Sequence, residues 1–212
     1  MTNGRHLTAW LLLGLLTVVG VGGAVLGVAQ SPKGASLDAA VANTLAAPSY
    51  TEVLTEDTQA GKQTDYLVYQ APDRLGGYIV GGDKRTRTYV YVIGTLEYQS
   101  LTVPLHGSVA HLSFYKESSE GNVQSLDPAH GYLPFALQGK NNEKSGNTYS
   151  FSLTEHTSKG AETGDFSYTV SGQYISQAAL RLGGASANLI ISQVGSSPPV
   201  ALPAGSKVIS AG

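Results

Sequence analysis

The residues that could do chemistry in this chain are few, and their spacing argues against most of it. His106, His111, His130 and His156 stand at no metal-ligand spacing, and none lies one helical turn from another or from a paired carboxylate. They read as core or surface histidines, and no metal site is expected. Serine and threonine are plentiful, but there is no G-x-S-x-G elbow, and any triad drawn from scattered Ser, His and Asp would be arbitrary. Gly81-Gly82-Asp83-Lys84 and Gly183-Gly184 lack the strand–loop–helix setting that aims amides at a phosphate, so they read as turn glycines. No enzyme and no cofactor is expected. Lys84, Arg85 and Arg87 cluster beside a turn, where together they could hold an anionic headgroup. The plainer reading of the same cluster is a solvated hairpin tip.

Composition narrows the classes further. The 212 residues carry 13 basic and 15 acidic side chains, 13% charged, with a net charge of −2 and 42% hydrophobic content. That is neither a disordered polyelectrolyte nor a basic nucleic-acid binder, so no nucleic-acid partner is expected. The absence of cysteine excludes disulfides, zinc–thiolate sites, cysteine nucleophiles and an N-terminal lipid thioether.

Between Leu7 and Ser31 no side chain is charged, and the run from Trp10 to Val28 is apolar. As a helix it would rise to roughly 28 Å, close to the ~30 Å hydrocarbon core, whereas a secretory h-region spans about 7–15 residues. Residues 1–30 therefore read as an uncleaved membrane anchor. Gly27-Val28-Ala29 also offers the small residues of a cleavage site, so a cleaved signal, giving an exported or secreted domain, stays open. In either case Arg5 ahead of the apolar run places the rest of the chain outside the cytoplasm, as a single-pass protein of the cell membrane if the anchor is kept.

After a linker over 31–35, residues 36–212 have one domain's length. Leu37, Val41 and Leu45, with Ser36 as N-cap and Pro48 as stop, predict a short amphipathic helix over 35–47. Nearly everything beyond it is extended. Segments 50–55, 64–71, 75–80 and 88–94 are rich in Tyr, Val, Ile and Thr, and 98–103, 109–115, 148–154, 166–171, 174–182 and 187–194 follow them. Gly81-Gly82-Asp83 and Ser171-Gly172-Gln173 supply turns. In 149–154 and 166–171, Tyr149, Phe151, Leu153, Phe166, Tyr168 and Val170 alternate with serines and threonines. One sheet face is therefore wet, and the other must be covered by a helix, a second sheet or a ligand. Besides the first helix, only the stretch Leu126–Leu137, interrupted by Gly131 and Pro134, can supply helical cover.

The order of these elements resembles exported lipid carriers of the LolA-like half-barrel family, closest to the actinobacterial lipoproteins of the LprG and LppX type. The resemblance rests on the helix 37–47 followed by Pro48-Ser49-Tyr50, on Asp65-Tyr66-Leu67-Val68-Tyr69-Gln70-Ala71-Pro72-Asp73-Arg74, and on Tyr89-Val90-Tyr91-Val92-Ile93-Gly94 leading to Tyr98. Near the end, Ser171-Gly172-Gln173-Tyr174-Ile175 and Pro198-Pro199-Val200-Ala201-Leu202-Pro203, followed by Ser206-Lys207-Val208, add to it. It implies an α+β domain: a curved antiparallel half-barrel covered by a few short helices, preceded here by an N-terminal transmembrane helix. An apolar cavity between sheet and helices would hold acyl chains, with Tyr89, Tyr91, Tyr149, Phe151, Phe166 and Tyr168 as cavity-facing candidates. The departure is Val28, which follows Leu26-Gly27 where a lipobox would place cysteine.

Two functions follow as expectations. The first is non-catalytic binding of a lipid or other apolar ligand outside the cytoplasm, in a cavity of roughly 300–1,000 Å³, as in carriage of lipid or lipoglycan in the cell envelope. The second is a ligand-free sensor or interaction module for an envelope protein partner, marked by an exposed apolar patch larger than a few hundred Å².

Overall fold

The computed structural model describes residues 35–59, 61–109, 111–119, 121–139, 142–157 and 160–210. The anchor-or-signal segment 1–30 and all of the linker but Ala35 lie outside the described residues. Among the described residues no helix is long and apolar enough to cross a membrane.

The first helix forms where the apolar spacing places it. In α1 (Leu37–Leu45) the Ser36 hydroxyl caps the N-terminus by accepting from the Ala39 amide at 3.3 Å, and Leu37, Ala40, Val41 and Thr44 are buried. Thr44 Oγ1 donates back to the Ala40 carbonyl and accepts from the Ile175 amide at 2.9 Å, which ties the helix to the sheet beneath it.

The strands fall into two antiparallel meanders. The first contains β1 (Ser49–Thr58), β2 (Gly61–Gln70), β3 (Arg74–Val80), β4 (Thr86–Ile93), β5 (Leu96–Ser100), the two-residue β6 (Val103–Pro104) and β7 (Ser113–Ser118). Helical cover follows, in α2 (Val123–Leu126), α3 (Pro128–Tyr132) and a 3-10 turn (Leu133–Gln138). The second meander comprises β8 (Glu143–Ser145), β9 (Thr148–Thr157), β10 (Gly160–Ser171), β11 (Tyr174–Leu182) and β12 (Ala185–Ser192), and the chain ends in β13 (Lys207–Ser210). Gly172, at φ +61°, makes the tight turn from β10 to β11 that the sequence predicts.

Strands β1 and β12 pair antiparallel, with Leu54 opposite Leu189, and join the two meanders into one sheet. Its order is β13-β7-β5-β4-β3-β2-β1-β12-β11-β10-β9-β8, with β6 on β4, so the sheet is unclosed; β13 pairs with β7 in parallel. A wide, mostly antiparallel sheet with a few short helices is the architecture that the resemblance implies.

Residues opposite each other across a ladder share a face. Tyr50, Glu52, Leu54, Leu67, Tyr69, Leu75, Val92, Leu189, Leu180, Tyr168, Phe166 and Phe151 follow this parity and form the larger core beneath α1 and the helical layer. On the other face a smaller core of Tyr89, Tyr91, Leu112 and Phe114 lies under Val200 and Leu202. The C-terminal segment is held there as Arg74 Nη1 donates to the Val200 carbonyl and the Val200 amide donates to Gln70 Oε1. Gly76 permits the approach, because a Cβ at that position would lie 2.3 Å from the Tyr91 ring and 2.9 Å from Val200.

Candidate functional site

Of the six cavity candidates, the sheet register brings four together. Tyr149, Phe151, Phe166 and Tyr168 lie on the helix-covered face: Phe151 stacks on Phe166 with centroids 5.4 Å apart and on Tyr168 at 5.9 Å, and Phe135 of the 3-10 turn meets Phe166 at 5.6 Å. Tyr149 is half-buried, with Lys144 Nζ 4.9 Å from its ring centroid.

Tyr89 and Tyr91 are a correction to the expectation of one shared cavity wall. Val92 belongs to the helix-covered core, so Tyr91 and Tyr89, one and three positions earlier, point to the opposite face. The aromatic alternation of β4 is real, but the cover over these tyrosines is the C-terminal segment and not the helices.

The basic cluster also divides. Arg87 lies over the rings of Tyr89 and Tyr78, at 5.0 and 5.5 Å, and donates from Nη2 to the Gly107 carbonyl. Lys84 and Arg85 remain exposed at the turn, where Asp83 Oδ1 accepts from the Arg85 amide.

At the seam beneath the helices the structure corrects the expectation of an open apolar cavity, because the core side chains meet there. The seam among Leu54, Tyr132, Phe166, Tyr168, Leu180 and Leu189 has no room for a water molecule. A groove of about 510 Å³ opens instead along β9–β11, where Ser150, Ser152, Ser167, Asp165 and Arg181 give it a polar lining.

A set of buried polar groups that the sequence reading did not single out lies where the helical layer meets β1. Alternation places Tyr50, Glu52, Leu54 and Glu56 on the covered side of that strand, and Asp127 caps α3 directly above them. Tyr50 Oη donates to Asp127 Oδ2 at 2.5 Å, and His130 Nδ1 lies 2.6 Å from the same oxygen, which also accepts from the His130 amide. The Ala129 amide donates to Glu52 Oε2 at 3.2 Å, and Tyr132 Oη donates to Glu56 Oε1 at 3.0 Å. Tyr168 Oη donates to the Tyr132 carbonyl, tying the far side of the sheet to the same layer.

Burial governs the protonation of this set. Glu52 is wholly buried, and burial, then the negative charge of Asp127, hold the Glu52 carboxyl well above the usual range. Burial also raises Glu56 and pushes Asp65 up to about 7, although Gln63 donates to Asp65. The phenols of Tyr50, Tyr132 and Tyr168 are raised as well, first by burial, so all three act as hydrogen-bond donors. Among the described residues no group of three or more His, Cys, Asp or Glu side chains is placed to hold a metal ion. The arrangement can attach a helical layer to a sheet through polar contacts. The signal for it in the sequence was the parity of Glu52 and Glu56 with Tyr50 and Leu54, which puts acids on the side that must be covered.

No protein-family profile and no curated protein matches the chain. Among solved structures it is similar to the lipoprotein LppX of Mycobacterium tuberculosis, at 14% identity and a TM-score of 0.47 over 79% of this chain and 96% of that one. It is likewise similar to LprF of Mycobacterium bovis, at 11% identity and 0.49 over 80% and 94%. A DUF1329 family protein of Desulfovibrio piger matches at 10% identity and 0.25 over 78% and 93%.

Proposed function

We propose that this is a non-catalytic binding protein of the cell envelope that takes an apolar or lipid ligand between its sheet and its helical layer. The supporting observation is the stacked wall of Phe151, Phe166 and Tyr168 beneath a cover made of three short helical pieces, whose ties to β1 are hydrogen bonds. Burying an acyl chain on the wall yields about 25 cal/mol per Å². The membrane is the second partner, through residues 1–30, and the domain lies outside the cytoplasm. Native mass spectrometry with lipid extraction on protein purified without detergent tests this reading. Stoichiometric lipid is the expected result, and a clean apo mass from folded protein overturns it.

A second reading, an interaction module that carries no ligand, draws on the filled seam beneath the helices. On the outer face Ile190, Val53, Tyr66 and Tyr78 stand opposite one another across four strands, with Ile190 and Tyr66 exposed. A protein partner retained by the folded, lipid-free chain and lost on Tyr66→Asp would favour it.

A further inference from the structure

The outer face of β9–β11 spends most of its polar side chains on one another. Thr148 and Thr169 Oγ1 lie 3.0 Å apart, Thr154 and Thr163 Oγ1 lie 2.9 Å apart, and Gln177 Nε2 donates to Asn188 Oδ1 at 2.7 Å. Four residues break this pattern. Ser150 stands directly opposite Ser167, and Asp165 directly opposite Arg181. Yet among the described residues no hydrogen bond joins the two serines and no ion pair joins the acid to the base. Asp165 Oδ1 accepts instead from the Ser152 hydroxyl at 2.7 Å. The second oxygen of Asp165, the guanidinium of Arg181 and the hydroxyls of Ser150 and Ser167 thus keep a hydrogen-bonding capacity that no described residue takes up.

All four residues line the groove of about 510 Å³. One bank is the row Ser150–Ser167–Ala179, with Glu143 at its end, and the other is Ser152–Asp165–Arg181. Between the banks runs the row Phe151–Phe166–Leu180, whose side chains enter the helix-covered core, so the floor of the groove is backbone. Neighbouring strands lie about 4.8 Å apart, so the four strands from β8 to β11 give the groove a length of roughly 14 Å. Its volume is that of a small-ligand site, about 300–1,000 Å³. Unspent polar groups and enclosed space therefore coincide on a face that is otherwise self-satisfied.

The chemistry of the banks selects the ligand. Two acids, Glu143 and Asp165, stand against one base, which disfavours a phosphate or a carboxylate, while Arg181 disfavours a cation. Phe151 and Phe166 turn their rings to the other face, so a flat heterocycle finds nothing among the described lining residues to stack on. A carboxylate only accepts, a guanidinium only donates, and a serine hydroxyl does both. A ligand that answers all of them carries several hydroxyls on a rigid frame. One hydroxyl donates to Asp165 while its neighbour accepts from Arg181, and others meet Ser150 and Ser167 across the groove. We propose that this groove on the outer face of β9–β11 binds a neutral saccharide, with Asp165 and Arg181 bridging adjacent hydroxyls and the two serines holding the opposite edge. The site lies on the reverse of the strands that carry the aromatic wall, and it stands independently of the apolar-ligand reading.

The test is binding of the purified full chain, in a sugar-free detergent, to an array of neutral and anionic oligosaccharides, each displayed both directly and on a lipid chain. The expected result is binding to neutral sugars. Arg181→Ala and Asp165→Asn, both at exposed positions, should each weaken it about tenfold without changing the melting temperature. Ser167→Trp, which fills the groove, should abolish it; if that variant does not fold, the two exposed substitutions carry the test. Gln177→Ala, on the same face but outside the groove, should leave binding unchanged. Signal on both displays assigns a soluble saccharide, and signal on the lipid-borne display alone, lost with Arg181→Ala, assigns a saccharide headgroup. No binding to any neutral sugar, preference for the anionic ones, or binding that Arg181→Ala and Asp165→Asn both leave intact overturns the proposal.

Discussion

Tyr50 and Asp127 are 77 residues apart, and the phenol of the first donates to the carboxylate of the second across 2.5 Å at the boundary between sheet and helices. Both side chains are almost wholly buried, so the bond forms where water cannot replace it. Hydrogen bonds to charged groups contribute about 1.5–3 kcal/mol. Tyr50→Phe should therefore lower stability by about 2 kcal/mol in equilibrium urea unfolding while keeping the stacking on Tyr69, whose ring centroid is 4.8 Å away. A loss under about 0.5 kcal/mol would mean that the bond adds nothing.

Asp65 sets a pH dependence of stability. Its folded pKa is raised to about 7, so the native state binds a proton that the unfolded chain, titrating near 4, releases. Its contribution is complete below about pH 4 and is lost as pH climbs to about 7. Glu56 and Glu52 act in the same direction. Chemical denaturation from pH 4 to pH 8 should show stability falling by a few kcal/mol, and Asp65→Asn should flatten the lower part of that slope. A rise in stability over the same range would contradict these protonation states.

The outer core depends on a missing side chain. Gly76→Ala would set a methyl 2.3 Å from the Tyr91 ring and 2.9 Å from Val200, and overpacking of this kind costs about 1–3 kcal/mol. Because the far neighbour is the C-terminal segment, the strain should appear there first. Faster proteolytic cleavage around Pro198–Pro203, with the Tyr168 environment unchanged, is the expected result.

The two groups of aromatics should separate in a binding assay. Phe151→Leu and Tyr91→Leu remove similar volumes from the two opposite faces, at about 1 kcal/mol each if the cores adjust. Quantified lipid that co-purifies should fall with Phe151→Leu and stay level with Tyr91→Leu. Equal losses would point to a common effect on folding.

What the sequence revealed, and what it hid, follows from where the determining contacts lie. Helix α1 was legible because Ser36, Leu37, Val41 and Pro48 carry its cap, stripe and stop within a few residues of one another. The Gly172 turn and the alternation around Phe151 and Phe166 were legible for the same local reason. Strand β13 was not, since all its residues are exposed and its partner β7 lies far back in the chain. The separation of Tyr89 and Tyr91 from Phe151 was hidden too: alternation shows that a tyrosine row is covered but not by what, and Val200 becomes the cover only through Gln70, Arg74 and Gly76. Glu52 was passed over because an acid in an alternating strand looks like a solvent residue unless its parity with Tyr50 and Leu54 is weighed, and Asp127 because its partner Tyr50 lies far back in the chain.

The pairing of β1 with β12 has a consequence for synthesis. The strand that follows the first helix cannot acquire one of its two neighbours until almost the whole domain has left the ribosome. Until then its hydrogen-bonding edge is bare, and pairings so distant along the chain form slowly. A chain truncated after β11 would keep that edge permanently open. Such nascent or shortened forms are the ones that would need a chaperone, and they are where aggregation of this protein should begin.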